Sequence, residues 1–247
     1  MSFYWANFKR LFFNAMGWYM ISIIIPVYNE EQCIGNLIAH LQKSDRDHQT
    51  EIIVVDGGST DLTCTITEKM GVKVYQSPAK GRAAQMNFGA SKALHDILYF
   101  VHADILPPVS FVVDILKEVH AGKFIGRYRT RFHSNLLLLR VNAFFTRFDL
   151  FMCYGGDQTL FITKTLFEKL NGFRESMQIM EEYEFVARAR LHGTYTIMPN
   201  EVLVSARKYK ANSWLQVQRA NYRVVKMYKK GASQEEIVRL YKELLKL

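Results

Sequence analysis

The stretch Ile21 to Val27, ISIIIPV, sets the strongest limit on what this chain can become. It is rich in β-branched residues and lacks polar alternation, so both faces of the strand must be covered, as in the centre of a parallel sheet. Pro26 is expected to end its hydrogen bonding. Asn29 then caps a helix with Gln32 three residues on, and Ile34, Leu37, Ile38 and Leu41 give that helix an apolar stripe. Glu51 to Val55 reads as a second strand closing on Asp56-Gly57-Gly58-Ser59-Thr60-Asp61, and a helix from about Ser59 to Met70 stops at Gly71. Val72 to Tyr75 is a short third strand, Pro78 to Arg82 a loop, and Ala83 to Leu94 a helix leading into Leu98 to Val101. Strand and helix thus alternate in the manner of a doubly wound α/β sheet.

The fourth strand ends in His102-Ala103-Asp104. Ligands of open α/β sheets collect outside the carboxyl ends of the strands, so Asp104 is placed to meet a bound ligand or its metal. The alternative is a capping Asp before the turn at Pro107-Pro108. A nucleotide is the expected guest. Yet the turn after the first strand reads Pro26-Val27-Tyr28-Asn29-Glu30, not the Gly-rich fingerprint of a dinucleotide-binding fold.

At 247 residues and 49% hydrophobic content the chain can bury one full core, with a small helical appendage. A net charge of +9 favours phosphates, on a nucleotide, a nucleic acid or an anionic lipid. The Lys and Arg residues are scattered, which argues against nucleic acid. Cys33, Cys64 and Cys153 are odd in number and far apart, so neither a disulfide framework nor a zinc site is expected, and a reducing compartment, the cytoplasm, is favoured. Met1 to Tyr19 is an aromatic, amphipathic leader with Lys9 and Arg10 in its middle. It suits neither a signal peptide nor a membrane span, and either docks on the domain or lies in a membrane interface.

Further along, Phe111 to Ala121 reads as a helix. Phe124 to Phe132 is a strand with Arg127, Arg129 and Arg131 on one face, either a solvated edge or a phosphate-facing surface. Leu136 to Met152 is apolar and aromatic but broken by Arg140, Arg147 and Asp149. That is an amphipathic helix or helical hairpin, whose commoner fate is burial against the sheet. Tyr154 to Gln158 is a polar turn before a strand at Thr159 to Ile162. Met180-Glu181-Glu182-Tyr183-Glu184-Phe185 opens a helix whose carboxylates suit its N-terminal dipole. From Trp214 onward the chain reads as helical, Ser233 and Glu236 forming a capping box for the last helix.

In this order ISIIIPVYNEEQ, VVDGGSTD, GRAAQMNFGA, FVHAD and IMEEYEF resemble the successive motifs of inverting family 2 glycosyltransferases of the GT-A fold, over about Ile21 to Tyr209. The separations also suit the subgroup with HAD in place of the DXD motif. The resemblance implies a doubly wound, mostly parallel sheet flanked by helices, with a C-terminal helical segment: a leader over 1–19, a GT-A domain over 20–210 and the helical segment over 211–247. It implies donor contacts from Pro26, Tyr28, Asn29 and Glu30 around base and ribose, from Asp56 at the nucleobase and from Arg82 at the diphosphate. Asp56 has capping as its alternative. His102 takes the place of the first acid of DXD, and Asp104 would hold Mg2+ or Mn2+. A departing diphosphate develops negative charge, so a cation and a carboxylate to hold it are the chemistry required there. Glu182 stands at the position of the catalytic base that takes the acceptor's proton, and Glu181 either replaces it or orients the acceptor. Gln216-Val217-Gln218-Arg219 echoes the QXXRW motif of processive synthases, but Ala220 replaces its Trp, so one sugar is transferred and no polymer is extended.

The function so implied is metal-dependent, inverting transfer of a single sugar from a nucleotide-sugar donor to an acceptor hydroxyl, a lipid-linked acceptor included. The enzyme would be cytoplasmic, with peripheral contact at the inner face of the membrane if its apolar stripes meet lipid. One rival is a non-catalytic nucleotide-sugar or lipid-phosphate binding protein of the same fold. Another is a nucleotidyltransferase, which needs a basic, Gly-rich loop near the first strand that this sequence lacks. Donor, acceptor and oligomeric state are left open by the sequence.

Overall fold

The computed structural model of the chain describes residues 19–155 and 158–246. The leader up to residue 18, and Gly156 and Asp157 of the polar turn, lie outside the described residues. β1 (Ile21–Val27), β2 (Thr50–Asp56), β3 (Val74–Gln76) and β4 (Ile97–Phe100) run parallel in the spatial order β3-β2-β1-β4. The chain reverses its direction of travel across the sheet at β1, which makes the carboxyl ends of β1 and β4 a topological switch point. The same sheet continues with β7 (Leu160–Thr163), β6 (Ile125–Phe132), β8 (Tyr195–Val204) and the two-residue β5 (Ile105–Leu106). β7 is antiparallel to both of its neighbours, and β8 is parallel to β6.

Helices cover the sheet as the β1 sequence demands. Ile21, Ile23 and Ile25 face α1 (Ile34–Ser44) and α4 (Phe111–His120), in one core that holds Leu37, Ile38, Phe111 and Ile115. Ile24 points the other way, toward α3 (Arg82–Lys92), in a second core with Met86, Phe100, Phe167 and Phe185. The four β1 isoleucines have no solvent exposure. Between these helices lies the short α2 (Thr63–Lys69), and α5 (Leu137–Phe145), α6 (Lys164–Lys169) and α7 (Glu181–Ala189) follow along the chain. After β8 come α8 (Arg207–Ala211), α9 (Trp214–Lys229) and α10 (Gln234–Leu244). Ser233 and Glu236 form the expected capping box of α10, and Val224 and Ile237 pack on Met177 and Met180 just ahead of α7.

Several local expectations are corrected. Pairing in β1 runs on through Pro26 to Val27, opposite Val55 and Asp56. Asn29 caps no helix: α1 begins only at Ile34, and Asn29 sits at φ 55° with its Oδ1 accepting from the Thr60 N–H at 2.8 Å. It ties the loop after β1 to the loop after β2. β6 is not an edge strand, because β7 and β8 flank it. Its Arg127 is wholly buried under the segment after α5, donating to the carbonyls of Thr146 at 2.7 Å and Phe148 at 3.2 Å. Leu136 to Met152 is not buried against the sheet either; Leu139 is the only residue of α5 that is fully covered. β5 and β8 have no counterpart in the sequence reading.

β6 is squeezed between its neighbours at Gly126. A Cβ added there would lie 2.6 Å from the Thr196 carbonyl oxygen and 2.7 Å from Phe161 Cε1, whereas one at Gly193 meets nothing within 4 Å. Gly126→Ala should therefore cost about 1–3 kcal/mol in urea unfolding, the usual size of an overpacking penalty. Gly193→Ala should leave the midpoint nearly unchanged.

Candidate active site

The sequence places its candidate residues at the carboxyl edge of the parallel strands, and the structure brings most of them to one crevice. The ends of β1 and β2 are held by Gln85 of α3, whose Nε2 donates to the carbonyls of Val27 and Val55, both at 2.8 Å. Pro26 is buried within β1, while Tyr28 stands exposed at the lip. Asp56 is buried at the end of β2. Its Oδ2 accepts from the Gly58 and Ser59 N–H groups, each at 3.0 Å. Asp56 caps no helix, since the next one begins at Thr63; its carboxylate braces the loop beside the crevice.

Opposite these loops the first turn of α7 carries three buried carboxylates, Glu181, Glu182 and Glu184, each paired with a basic side chain. Arg82 Nε lies 2.9 Å from Glu181 Oε1. His102 Nε2 lies 2.9 Å from Glu182 Oε1. Arg188 Nε donates to Glu184 Oε1 at 2.9 Å, and Arg174 approaches the same oxygen at 3.1 Å. Burial alone would lower the His102 pKa, but the charge and hydrogen bond of Glu182 outweigh it and hold the imidazole above its ordinary value. Burial pushes the Glu181 carboxyl up, against the downward pull of Arg82. The Arg82 guanidinium is itself raised, chiefly by Glu181. Met180, just before this turn, has φ 67°, a conformation that bulky residues rarely adopt, and the left-handed turn swings the helix start toward the sheet.

Asp104 lies where β4 has left the sheet, and its own carbonyl accepts the Ser205 N–H at 3.0 Å from the end of β8. Arg207 reaches back into this corner: its Nε is 3.3 Å from Asp104 Oδ2, and its two terminal nitrogens grip both oxygens of Glu30. These partners raise the Arg207 pKa, the Glu30 hydrogen bonds first. Among the described residues no three His, Cys, Asp or Glu side chains converge as a metal set. His102 is engaged by Glu182 and Asp104 by Arg207. One carboxylate fits a hard cation carried mainly by diphosphate oxygens and water.

The family-level comparison decides the identity, for the description "Glycosyl transferase family 2" matches residues 22–175. The chain belongs to glycosyl transferase family 2. This family 2 chain is similar to 4,4'-diaponeurosporenoate glycosyltransferase of Staphylococcus haemolyticus, with 37% identity over 92 residues, 34% of this chain and 24% of that protein. It is also similar to an undecaprenyl-phosphate 4-deoxy-4-formamido-L-arabinose transferase of Pseudomonas fluorescens, with 28% identity over 111 residues, 41% of this chain and 33% of that protein. The matches thus span a third or less of these two relatives' length. Among solved structures, S. aureus TarS 1-349 with UDP-GlcNAc superposes with a TM-score of 0.63 at 18% identity, covering 91% of this chain and 71% of that one. The mannosyltransferase PcManGT from Pyrobaculum calidifontis, solved with GDP-Man and Mn2+, gives a TM-score of 0.67 at 17% identity, covering 92% and 70%. These likenesses establish the GT-A fold, a curled and mostly parallel sheet between helices.

Sequence reasoning on this family 2 chain missed Arg207 and Gln85. Arg207 lies three residues past the end of β8, so recognising that strand would have put it near the corner of Asp104. Gln85 sits in the GRAAQMNFGA stretch between Ala84 and Met86, and no local pattern separates it from Asn87 two residues on. Replacing Gln85 with Leu removes one donor from each of two strand-end carbonyls, of which that of Val27 keeps the Gly57 N–H at 2.9 Å. Gln85→Leu should destabilise the fold by about 1–3 kcal/mol and weaken nucleotide binding, read by chemical unfolding and by titration with UDP or GDP.

Proposed function

We propose that this family 2 chain transfers a single sugar, with inversion, from a nucleotide-sugar donor to an acceptor oxygen, with a divalent cation at Asp104. The observation that carries the reading is the meeting at one crevice of Asp104, from the end of β4, with the Glu181 and Glu182 carboxylates from the start of α7. TarS with UDP-GlcNAc and PcManGT with GDP-Man and Mn2+ share the fold and support a nucleotide-sugar donor. Relatives named as undecaprenyl-phosphate and dolichol-phosphate transferases support a lipid-linked acceptor.

In this mechanism the acceptor oxygen attacks the anomeric carbon from the face opposite the diphosphate. As the new C–O bond forms, the bond to the diphosphate breaks and its electron pair leaves with the phosphate oxygen. Glu182 takes the proton of the acceptor hydroxyl. His102 holds that carboxylate in place from 2.9 Å, and this accounts for HAD in place of DXD: an acid at position 102 would face Glu182 as a like charge. Arg82 and Arg207 line the diphosphate's side of the crevice with guanidinium groups. A cation bound with the donor would supply charge neutralisation at the departing diphosphate. Tyr28, Asn29 and Glu30 present surface to base and ribose, while Pro26 and Asp56 act by fixing the loops that carry them. A non-catalytic binder of the same fold is the second reading, favoured by the pairing of Glu181 with Arg82 and of Glu182 with His102.

Donor hydrolysis with Mn2+ separates the two readings, since a transferase shows it slowly and a binder does not. Thermal shift against UDP, GDP, dTDP and CMP sugars, with and without Mn2+, names the donor, because a ligand of the native state raises its apparent stability. Asp104→Asn should abolish Mn2+-dependent nucleotide binding with an unchanged circular dichroism spectrum; unaltered affinity would refute the cation assignment. Glu182→Gln should cut turnover by about 10² or more with little change in donor affinity. If Glu181→Gln does this instead, the base is its neighbour.

A further inference from the structure

The geometry points to the outer face of α5 and the turn that follows it as a docking surface for an anionic lipid bilayer. An amphipathic helix on a sheet normally turns its apolar stripe inward. Here the stripe is reversed: Leu137, Leu138, Val141, Phe144, Phe145 and Phe148 all point to solvent, at the spacing of one helical face. Leu137 is 67% exposed and Met152, beyond the helix, 68%. Phe144, Phe145 and Phe148 brace one another, with ring centroids 5.6–6.4 Å apart. They form a fixed aromatic block, and a contiguous apolar surface of this kind marks an interaction site.

Charge names the occupant. Arg140 and Arg147, one heptad apart, run along the side of the stripe, and Arg147 lies over the Phe144 ring at 4.1 Å. With Arg131 and His133 they line a cleft of about 900 Å³ behind the helix, in which Glu201 is the one acidic residue. Apolar side chains edged by arginine match the acyl and phosphate layers of an anionic membrane. A second copy of the chain, docked face to face, would set the same arginines against one another. α5 spans nine residues and no helix among the described residues is long and apolar enough to cross a membrane, so the helix would lie in the interface. The surface also adjoins the crevice. The His133 N–H donates to the Val204 carbonyl at 2.8 Å, one residue from Ser205, which holds the Asp104 backbone. A lipid-linked acceptor, should the transfer reading hold, would thus meet the site from the docked bilayer, but the docking itself stands independently of that reading.

Flotation of the full chain with phosphatidylcholine vesicles, with and without phosphatidylglycerol, tests the surface. The expected result is binding to the phosphatidylglycerol vesicles that weakens with salt, is lost in Phe144→Glu/Phe148→Glu, and falls by about tenfold or more in Arg140→Ala/Arg147→Ala. Thermal midpoints and UDP or GDP affinity, measured on the same preparations, should match the parent chain, which separates loss of docking from loss of fold or of donor binding. Absence of binding to anionic vesicles overturns the proposal. So does binding that survives Phe144→Glu/Phe148→Glu, or light scattering that shows a dimer which this double variant dissociates.

Discussion

A buried carboxylate costs several kcal/mol unless a cation and hydrogen bonds offset the loss of water. The first turn of α7 buries three of them, and its position follows from where their partners are. Glu181 needs Arg82, at the start of α3, and Glu182 needs His102, past the end of β4. Glu184 draws on Arg188 of its own helix and on Arg174. Because Arg82 and His102 belong to the parallel half of the molecule, their bonds to Glu181 and Glu182 tie the start of α7 to it. That placement closes the crevice from the side opposite β1 and β2. Removal of Arg82 would take from Glu181 its ion-pair partner, whereas Glu184 would keep one arginine if the other were lost.

The parallel half was legible in the sequence because its signals are local. Runs such as ISIIIPV, and stripes such as Ile34, Leu37, Ile38 and Leu41, announce their own burial, and the order of motifs carried the fold class. The second half reads poorly for physical reasons. β8 contains Pro199-Asn200-Glu201, and its register with β6 slips between Tyr128 and Arg129, so no clean alternation survives in its sequence. β5 is two residues long and exists only through its pairing with β8. The outward stripe of α5 has the same periodicity as an inward one, and only the sheet beneath it fixes which way it turns.

The site was legible in its parts but not in its connections. His102, two residues before Asp104, bonds Glu182 at 2.9 Å and so links the end of β4 to the start of α7. The Glu30–Arg207 pair joins residues 177 apart in the chain, and no local pattern reports such a contact. Asp56 illustrates the converse. Its place at a strand end suits a ligand contact equally well, and only the N–H groups of Gly58 and Ser59 show that the carboxylate serves the loop.

The pairing of β5 with β8 also bears on the order in which the molecule can assemble. β1 to β4 and their helices draw on contacts within the first hundred or so residues, while Ile105 and Leu106 await Val204 and Leu203. The carbonyl of Asp104 likewise awaits Ser205. During synthesis the loops after β1 and β2 can therefore take shape while the aspartate corner is still unfixed, and a chain released before residue 205 would present half a cleft. Completion of the crevice thereby waits on the end of β8, about a hundred residues after β4.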